Sequence, residues 1–387
     1  MKAKEYFAYV KRDATFKHVA NYIFIIAAMA LFLILQACGA LTRSMSGLLC
    51  RIAYSVILAV SLNLVVGFLG ELSLGHAGFM CVGAYLGCVT SNFLSAYIGS
   101  DLLLLLIALA VGAVTAAVFG FVIGLPALRL KGDYLAIVTL AFGEIVRNIC
   151  KNLEFLGGNQ GLTTHVMPAK QLWVVSFIVL LLMLFLVQNL IRSKHGRAIT
   201  AIRDSEIAAR AMGVDVTYYK LFVFVISAAF AGMAGVLYGF YTTPLLPTFF
   251  SYNYSIEILV MVVLGGIGSL NGSIIAAALL TYVNFALQNA LSGELASLKY
   301  LFYAIILILV VLYNNAPGLA GLREKLNFKK LWLRIFAKKT PSPETIRDDE
   351  AAWHRISTKI KMDELLSVDT QPGDSFEPDK PGKEARR

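Results

Sequence analysis

What this sequence lacks most is charge. Asp, Glu, Lys and Arg make up 15% of its 387 residues, where a soluble domain carries about 25%. The deficit is concentrated in uncharged runs such as 19–37, 52–70, 102–124 and 172–191, each near the roughly 20 residues that cross a hydrocarbon layer about 30 Å thick. Hydrophobic residues reach 58% and the mean hydropathy is +0.71. A large soluble core does not require apolar segments of one uniform length, so the pattern excludes a soluble enzyme and points to a multi-pass membrane protein.

Reactive groupings are scarce too. There is no G-x-x-x-x-G-K-[ST] loop to cradle a phosphate. The run GGIGS at 265–269 lacks the lysine and lies among apolar spans, where glycines break helices or let backbones pack closely. No Ser/His/Asp set and no H-E-x-x-H is present, and His18, His76, His165, His195 and His354 are dispersed. Cys38, Cys50, Cys81, Cys88 and Cys150 lie in or beside apolar segments, without C-x-x-C pairs or metal-ligand spacing, and read as packing residues. No catalytic site, metal or cofactor is expected. Carboxylates inside the spans are too few for the acidic relay of a proton-coupled carrier. Energy for transport must come from another chain.

What is present is a series of spans at about 20–39, 49–69, 77–98, 102–124, 134–151, 171–191, 220–241, 255–270, 273–290 and 299–315. The chain carries 34 Lys and Arg against 24 Asp and Glu, and these fall mostly between or beyond the spans. Cytoplasmic loops carry excess Lys and Arg. Ten spans place four basic segments on one side: the N-terminal arm, the loop with Arg129 and Lys131, the loop from Arg192 to Arg210, and the start of the tail. The loops around 99–101, 242–254 and 291–298 have no Lys or Arg. Arg43, Lys151 and Lys170 are the exceptions. The expectation is an all-α helical bundle in the inner or plasma membrane, with both termini cytoplasmic. It divides into an arm at 1–19, a bundle at 20–316 and a charged, Pro-punctuated tail at 317–387, in which 344–366 has helical character. The basic N-terminus leads into a retained first helix rather than a cleaved signal peptide. The net charge of +10 is accounted for by orientation, so lipid and not nucleic acid is the expected contact.

Polar residues within this frame are the candidates for function. Glu144 and Arg147, three apart on one helix, can meet and neutralise each other; they fit either a pathway-lining pair or an interfacial pair near the outer boundary. Asn63, Glu71, Ser73 and His76 surround Gly67, Gly70, Gly75 and Gly78 where the second span gives way to the third. Unwound backbone in a membrane needs protein or water to satisfy it, so these residues fit a substrate pathway and equally an inner loop packed through glycine. The strings GELSLG at 70–75 and GIGSLN at 266–271 resemble each other, though the match is short.

The loop 192–219 is the longest internal polar segment. Within it, GRAITAIRDSEIAARAMG at 196–213 contains a short helix that Asp204 or Ser205 can cap, with Glu206 near its positive end and Gly213 placed to terminate it. Ala208, Ala209 and Ala211 keep one surface small. Such a helix fits a groove of another protein, or a plain surface helix.

At this loop the sequence resembles the coupling segment of ABC importer permeases, E-A-A-x-x-x-G, with the glutamate one position early at Glu206 and no proline further on. Those departures match the LivM-type branched-chain amino acid permeases, in which the loop looks like G-R-x-x-x-A-I-R-x-x-E-x-A-A-x-x-x-G. The resemblance runs over residues 50–316 and includes SLNLVVG at 61–67, GELSLGHAGF at 70–79, TLAFGEIVR at 139–147, GGNQGL at 157–162, SAAFAGMAG at 227–235 and MVVLGGIGS at 261–269. It implies a half-pore beside a second, LivH-like permease. Two ABC ATPase subunits would bind below and an extracytoplasmic substrate-binding protein would deliver cargo. Arg203, Asp204, Glu206, Ala208, Ala209 and Gly213 would then couple ATPase closure to the spans. Branched-chain or other apolar amino acids are the implied substrates; permeases for urea and short amides look similar. A stand-alone channel is the competing class, and it has no need of a docking helix.

Overall fold

In hydrocarbon a helix is the element that satisfies its own backbone within one segment, and the uncharged runs fold accordingly. The computed structural model describes residues 42–290 except Lys131, together with nine helical residues between 29 and 36 and between 304 and 308. The described elements are α1 (Arg43–Asn63), continued by a π-helix (Leu64–Leu69), then α2 (His76–Leu94), α3 (Asp101–Ala127), α4 (Asp133–Asn152), α5 (Ala169–Arg192), α6 (Lys194–Asp204), α7 (Glu206–Ala211), α8 (Val216–Tyr241), α9 (Tyr252–Gly265) and α10 (Leu270–Ala290). Among the described residues there is no strand; one isolated antiparallel bridge joins Leu162 and Leu245.

Six described helices are long and apolar enough to cross a membrane: Arg43–Leu69, His76–Leu94, Asp101–Ala127, Ala169–Arg192, Val216–Tyr241 and Leu270–Gln288. The fifth expected span forms as α4, but Asp133, Glu144, Arg147 and Lys151 keep it outside that set. The eighth, expected at 255–270, stops at Gly265, because Gly266 adopts φ +93° and Gly268 φ +79°. Its 14 residues reach about 21 Å, short of a full crossing. The first and tenth expected spans, the arm and the tail lie outside the described residues, apart from those nine. Among the nine, Gln36 Oε1 accepts a 2.7 Å hydrogen bond from Trp173 Nε1 on α5.

The centre of the bundle is α1 with its π-helical extension, which is 83% buried, against 33% for α3 and 28% for α10. It packs on α5, α8, α9 and α10. Beside it α2, α3 and α8 close on one another through glycine. A Cβ at Gly232 of α8 would strike the Gly112 backbone of α3, and one at Gly83 of α2 would strike Gly232 itself. Such small-residue contacts replace the hydrophobic drive that lipid does not supply. Phe79, Phe142 and Phe224 meet edge-on and tilted beside this interface. Cys50, Cys81, Cys88 and Cys150 are buried and free.

Candidate coupling and translocation site

The loop between α5 and α8 is mostly helical. Ser193 caps α6 by accepting from the amides of His195 and Gly196. Ile199 and Ile202 of α6 are buried, and the helix packs on α5, α8 and the π-helix. Extended backbone at Ser205 then turns the chain, and its hydroxyl caps α7 by accepting from Ala208 N at 3.3 Å. Of the two residues able to cap, Ser205 does so; Asp204 instead receives Arg203 Nε and Nη2 at 3.0 and 2.9 Å. Gly213, at φ +83°, ends α7, with Gly213 N on Arg210 O and Val214 N on Ala209 O, the double closure of a glycine-terminated helix. Ala209 faces inward at 4% exposure, while Ala208 and Ala211 face outward. Beside them Ile207 and Met212 are 83% and 84% exposed. The outward surface thus carries two large apolar side chains that the alanine pattern did not foretell.

Two cations tie this loop to the end of α1. Arg203 Nη1 donates to Gly67 O at 3.2 Å, and its side chain covers Gly70, where an added Cβ would come within 2.8 Å of Arg203 Cγ. Lys220, one turn into α8, is buried and places Nζ 2.5 Å from Glu71 Oε1 and 3.2 Å from Glu206 Oε2. The other Glu206 oxygen holds Arg210 at 2.9 Å. One ammonium therefore joins Glu71, just past the π-helix, to the first residue of α7. Lys220 had no role in the sequence reading. A lone lysine at the edge of an apolar span was the available signal, because such a group needs a partner.

The two glycine-rich breaks, alike in sequence, meet in space. Asn63, fully buried, accepts from Gly268 N at 3.0 Å and donates to Ser269 O at 3.1 Å and to Ser273 Oγ at 2.9 Å. A Cβ on Gly67 would strike the backbone of Gly268, so this contact requires glycine.

Beyond Gly70 the chain leaves the helical state until His76, and neighbouring helices satisfy its backbone. Leu74 N donates to Thr139 Oγ1 at 3.0 Å on α4, and Ala77 N donates to Ser255 Oγ at 3.0 Å on α9. His76 Nε2 lies 2.7 Å from Ser61 Oγ, whose own hydrogen reaches Leu58 O at 2.9 Å. With the hydroxyl proton so used, the imidazole is the donor. Ser73 is 2% exposed, and its hydroxyl has no partner among the described residues.

Of the five pathway candidates, Asn63, Glu71, Ser73 and His76 therefore lie along one continuous stretch of chain, and three of them are held by protein partners. Glu144 lies elsewhere. It receives Arg147 Nε and Nη2 at 2.9 and 2.5 Å, and its second oxygen accepts from Tyr252 N at 3.0 Å, so it caps the start of α9. At that same end, opposite the loop 192–219, a cavity of about 560 Å³ is walled by Tyr238, Phe249 and Tyr254, with Glu257 and Asn284 also lining it. Ring centroids along the wall are 4.2 and 4.6 Å apart, and Asn284 Nδ2 donates to Glu257 Oε1 at 3.1 Å. Aromatic faces and a carboxylate in one hollow suit a ligand with an apolar body and a cationic group.

Residues 44–311 match the family described as branched-chain amino acid transport system / permease component. The chain belongs to this family. The LivM permease proteins of the high-affinity branched-chain amino acid transport systems of Salmonella typhimurium and Escherichia coli are each 38% identical to it over 258 residues, 58% of this chain. The match spans 59% of the length of those two proteins. The probable branched-chain amino acid transport permease protein LivM of Methanocaldococcus jannaschii is 30% identical over 309 residues, covering 68% of this chain and 89% of that protein. LivH of Escherichia coli is 25% identical over 288 residues, 68% of this chain and 90% of LivH. Among solved structures, PsaBC from Streptococcus pneumoniae in complex with Fab covers 78% of this chain and 99% of its own at 14% identity, with a TM-score of 0.42, a likeness too loose to bear on function. The family match takes in α1 to α10 and the whole of the loop 192–219.

Proposed function

We propose that this chain is a transmembrane permease subunit of an ABC importer, moving branched-chain or other apolar amino acids with ATP hydrolysed by partner subunits. It works in the inner or plasma membrane, as ten spans with both termini cytoplasmic. Its partners are a LivH-like second permease, two ABC ATPase subunits and an extracytoplasmic substrate-binding protein. The observation that carries this reading is α7: a capped, glycine-terminated helix that holds Ile207 and Met212 outward while Ala209, Glu206 and Arg203 hold it to the bundle. An apolar pair exposed on a short rigid helix is the form of a helix that seats in a partner's groove, and a stand-alone channel has no use for it. Arg203, Asp204, Glu206, Ala208, Ala209 and Gly213 form the coupling segment, with Ile207 and Met212 as its anchors. Asn63, Glu71, Ser73, His76 and Glu144 are the pathway candidates. Ser73 is the one whose hydroxyl no described residue occupies, which favours it for contact with cargo.

The test is uptake by the full complex in proteoliposomes, with binding protein and ATP, comparing leucine with urea and ribose. Leucine uptake that requires ATP is expected. Ile207→Asp with Met212→Asp should abolish that uptake and release the ATPase subunits, because charge in the groove removes the apolar anchors. Uptake that persists without ATP, or that survives both substitutions, would sink the importer reading in favour of a channel. Uptake of urea in preference to leucine would reassign the substrate alone.

A further inference from the structure

Lys220 is built as a link. Its ammonium is buried between carboxylates that come from separate elements, Glu71 after the π-helix and Glu206 at the start of α7. Helix α7 is short and mostly exposed. Its six residues include one buried side chain, Ala209, and Arg210 turns back onto Glu206. A buried ammonium cannot give up its anions cheaply, so a shift of Glu206 either draws Lys220 along or strands it on Glu71. The lysine stem is flexible, and a cavity of about 280 Å³ lined by Arg129, Glu206, Arg210, Thr217, Lys220 and Leu221 leaves room for α7 to move beside it. On the far side of the same turn Arg203 holds Gly67 O, and Asn63 fixes the turn to Gly268. The extended stretch that carries Ser73 begins there.

We infer that Lys220 is a positioning residue, passing the displacement of α7 to the Gly67–Glu71 turn through its ion pairs with Glu206 and Glu71. The inference rests on the reading of 192–219 as the segment that meets the ATPases. Through this link a push on α7 reaches both glycine breaks, since Asn63 joins the first to the second. Lys220 touches neither cargo nor nucleotide in this scheme; it sets the geometry between the part that is pushed and the part that opens.

The experiment measures ATP hydrolysed per substrate imported by the reconstituted full complex. Lys220→Met should raise that ratio by ~10-fold or more, within the usual range of coupling between distant sites, while hydrolysis by the ATPase subunits continues. Glu71→Gln, which leaves α7 and its pair with Arg210 untouched, should raise it as well, and Lys220→Arg should bring it back towards the starting value. Should Lys220→Met fail to assemble, the double variant Glu71→Gln/Lys220→Met leaves no stranded charge at Glu71, while Glu206 keeps its pair with Arg210, and it must show the same raised ratio. A merely structural brace would lower hydrolysis and uptake together, and an unchanged ratio in Glu71→Gln and in the double variant would overturn the inference. Absence of ATP-driven uptake in the unmodified complex would instead remove the importer reading beneath it.

Discussion

Two ion-pair sites in this chain use the same chemistry and mean different things. Glu144 and Arg147 sit three residues apart on α4, about a quarter exposed at 23% and 25%, and their carboxylate also holds the first amide of α9. Lys220 binds carboxylates 149 and 14 residues away, its own side chain is 6% exposed, and it joins α8, α7 and the end of α1. The first pair steadies a helix and caps its neighbour. The second ties the end of α1 to helices far from it along the chain. Proximity along the chain makes a pair local, and burial across elements makes one consequential.

The largest effect separating the two sites should come from Lys220→Met. Removing one member of a buried ion pair leaves carboxylates without their counter-charge, at a cost of about 3–5 kcal/mol. Thermal unfolding of the purified chain in detergent checks this. The double variant Glu71→Gln/Lys220→Met should recover most of the loss, because the Glu71 charge leaves with the ammonium and Glu206 keeps Arg210. Should the single variant unfold like the parent, the burial of this link does not carry the weight assigned to it.

Glu144→Gln is the opposing probe, with a smaller expected loss. The pair is partly exposed, and glutamine still offers an oxygen to Tyr252 N, so a loss of about 0.5–1 kcal/mol is expected. Added salt should narrow the gap between variant and parent at this site, and leave the Lys220→Met gap nearly unchanged. A loss as large as that of Lys220→Met would erase the distinction between the two sites.

The same contrast explains what was legible in the sequence. Runs without charge announced most of the helices, and the pair Asp204 and Ser205 with Gly213 announced the ends of α7, because hydropathy, capping and left-handed backbone are set by adjacent residues. The glutamate–arginine pair on α4 was visible for the same reason. The reading of 255–270 as one helix overran, since apolar character continues through Gly265–Gly268 while the backbone does not. Lys220 could not be partnered, because its acids arrive from positions fixed only when α1, α7 and α8 pack. The likeness of the two glycine breaks was noticeable as a string, yet their contact through Asn63 depends on α1 and α10 lying side by side. The inward turn of Ala209 and the outward turn of Ile207 and Met212 likewise follow from how α7 rests on the bundle.

Ser73 gives the smallest stability effect, set beside a distinct functional one. Its hydroxyl is buried without a partner among the described residues, so Ser73→Ala removes no hydrogen bond and should shift stability by less than about 0.5 kcal/mol. Asn63, earlier on the same stretch of chain, makes three hydrogen bonds and marks the opposite extreme. On the proposed pathway role, cargo supplies the missing partner during passage, and losing that one hydrogen bond should raise KM for uptake by about 3–10-fold. Hydrolysis per substrate should stay near the parent value, because the Lys220 link is untouched. Uptake kinetics at several leucine concentrations separate the two parameters. A variant identical to the parent in KM would place Ser73 among packing residues, whereas a raised ATP ratio would place it with Lys220 in the path by which force reaches the breaks.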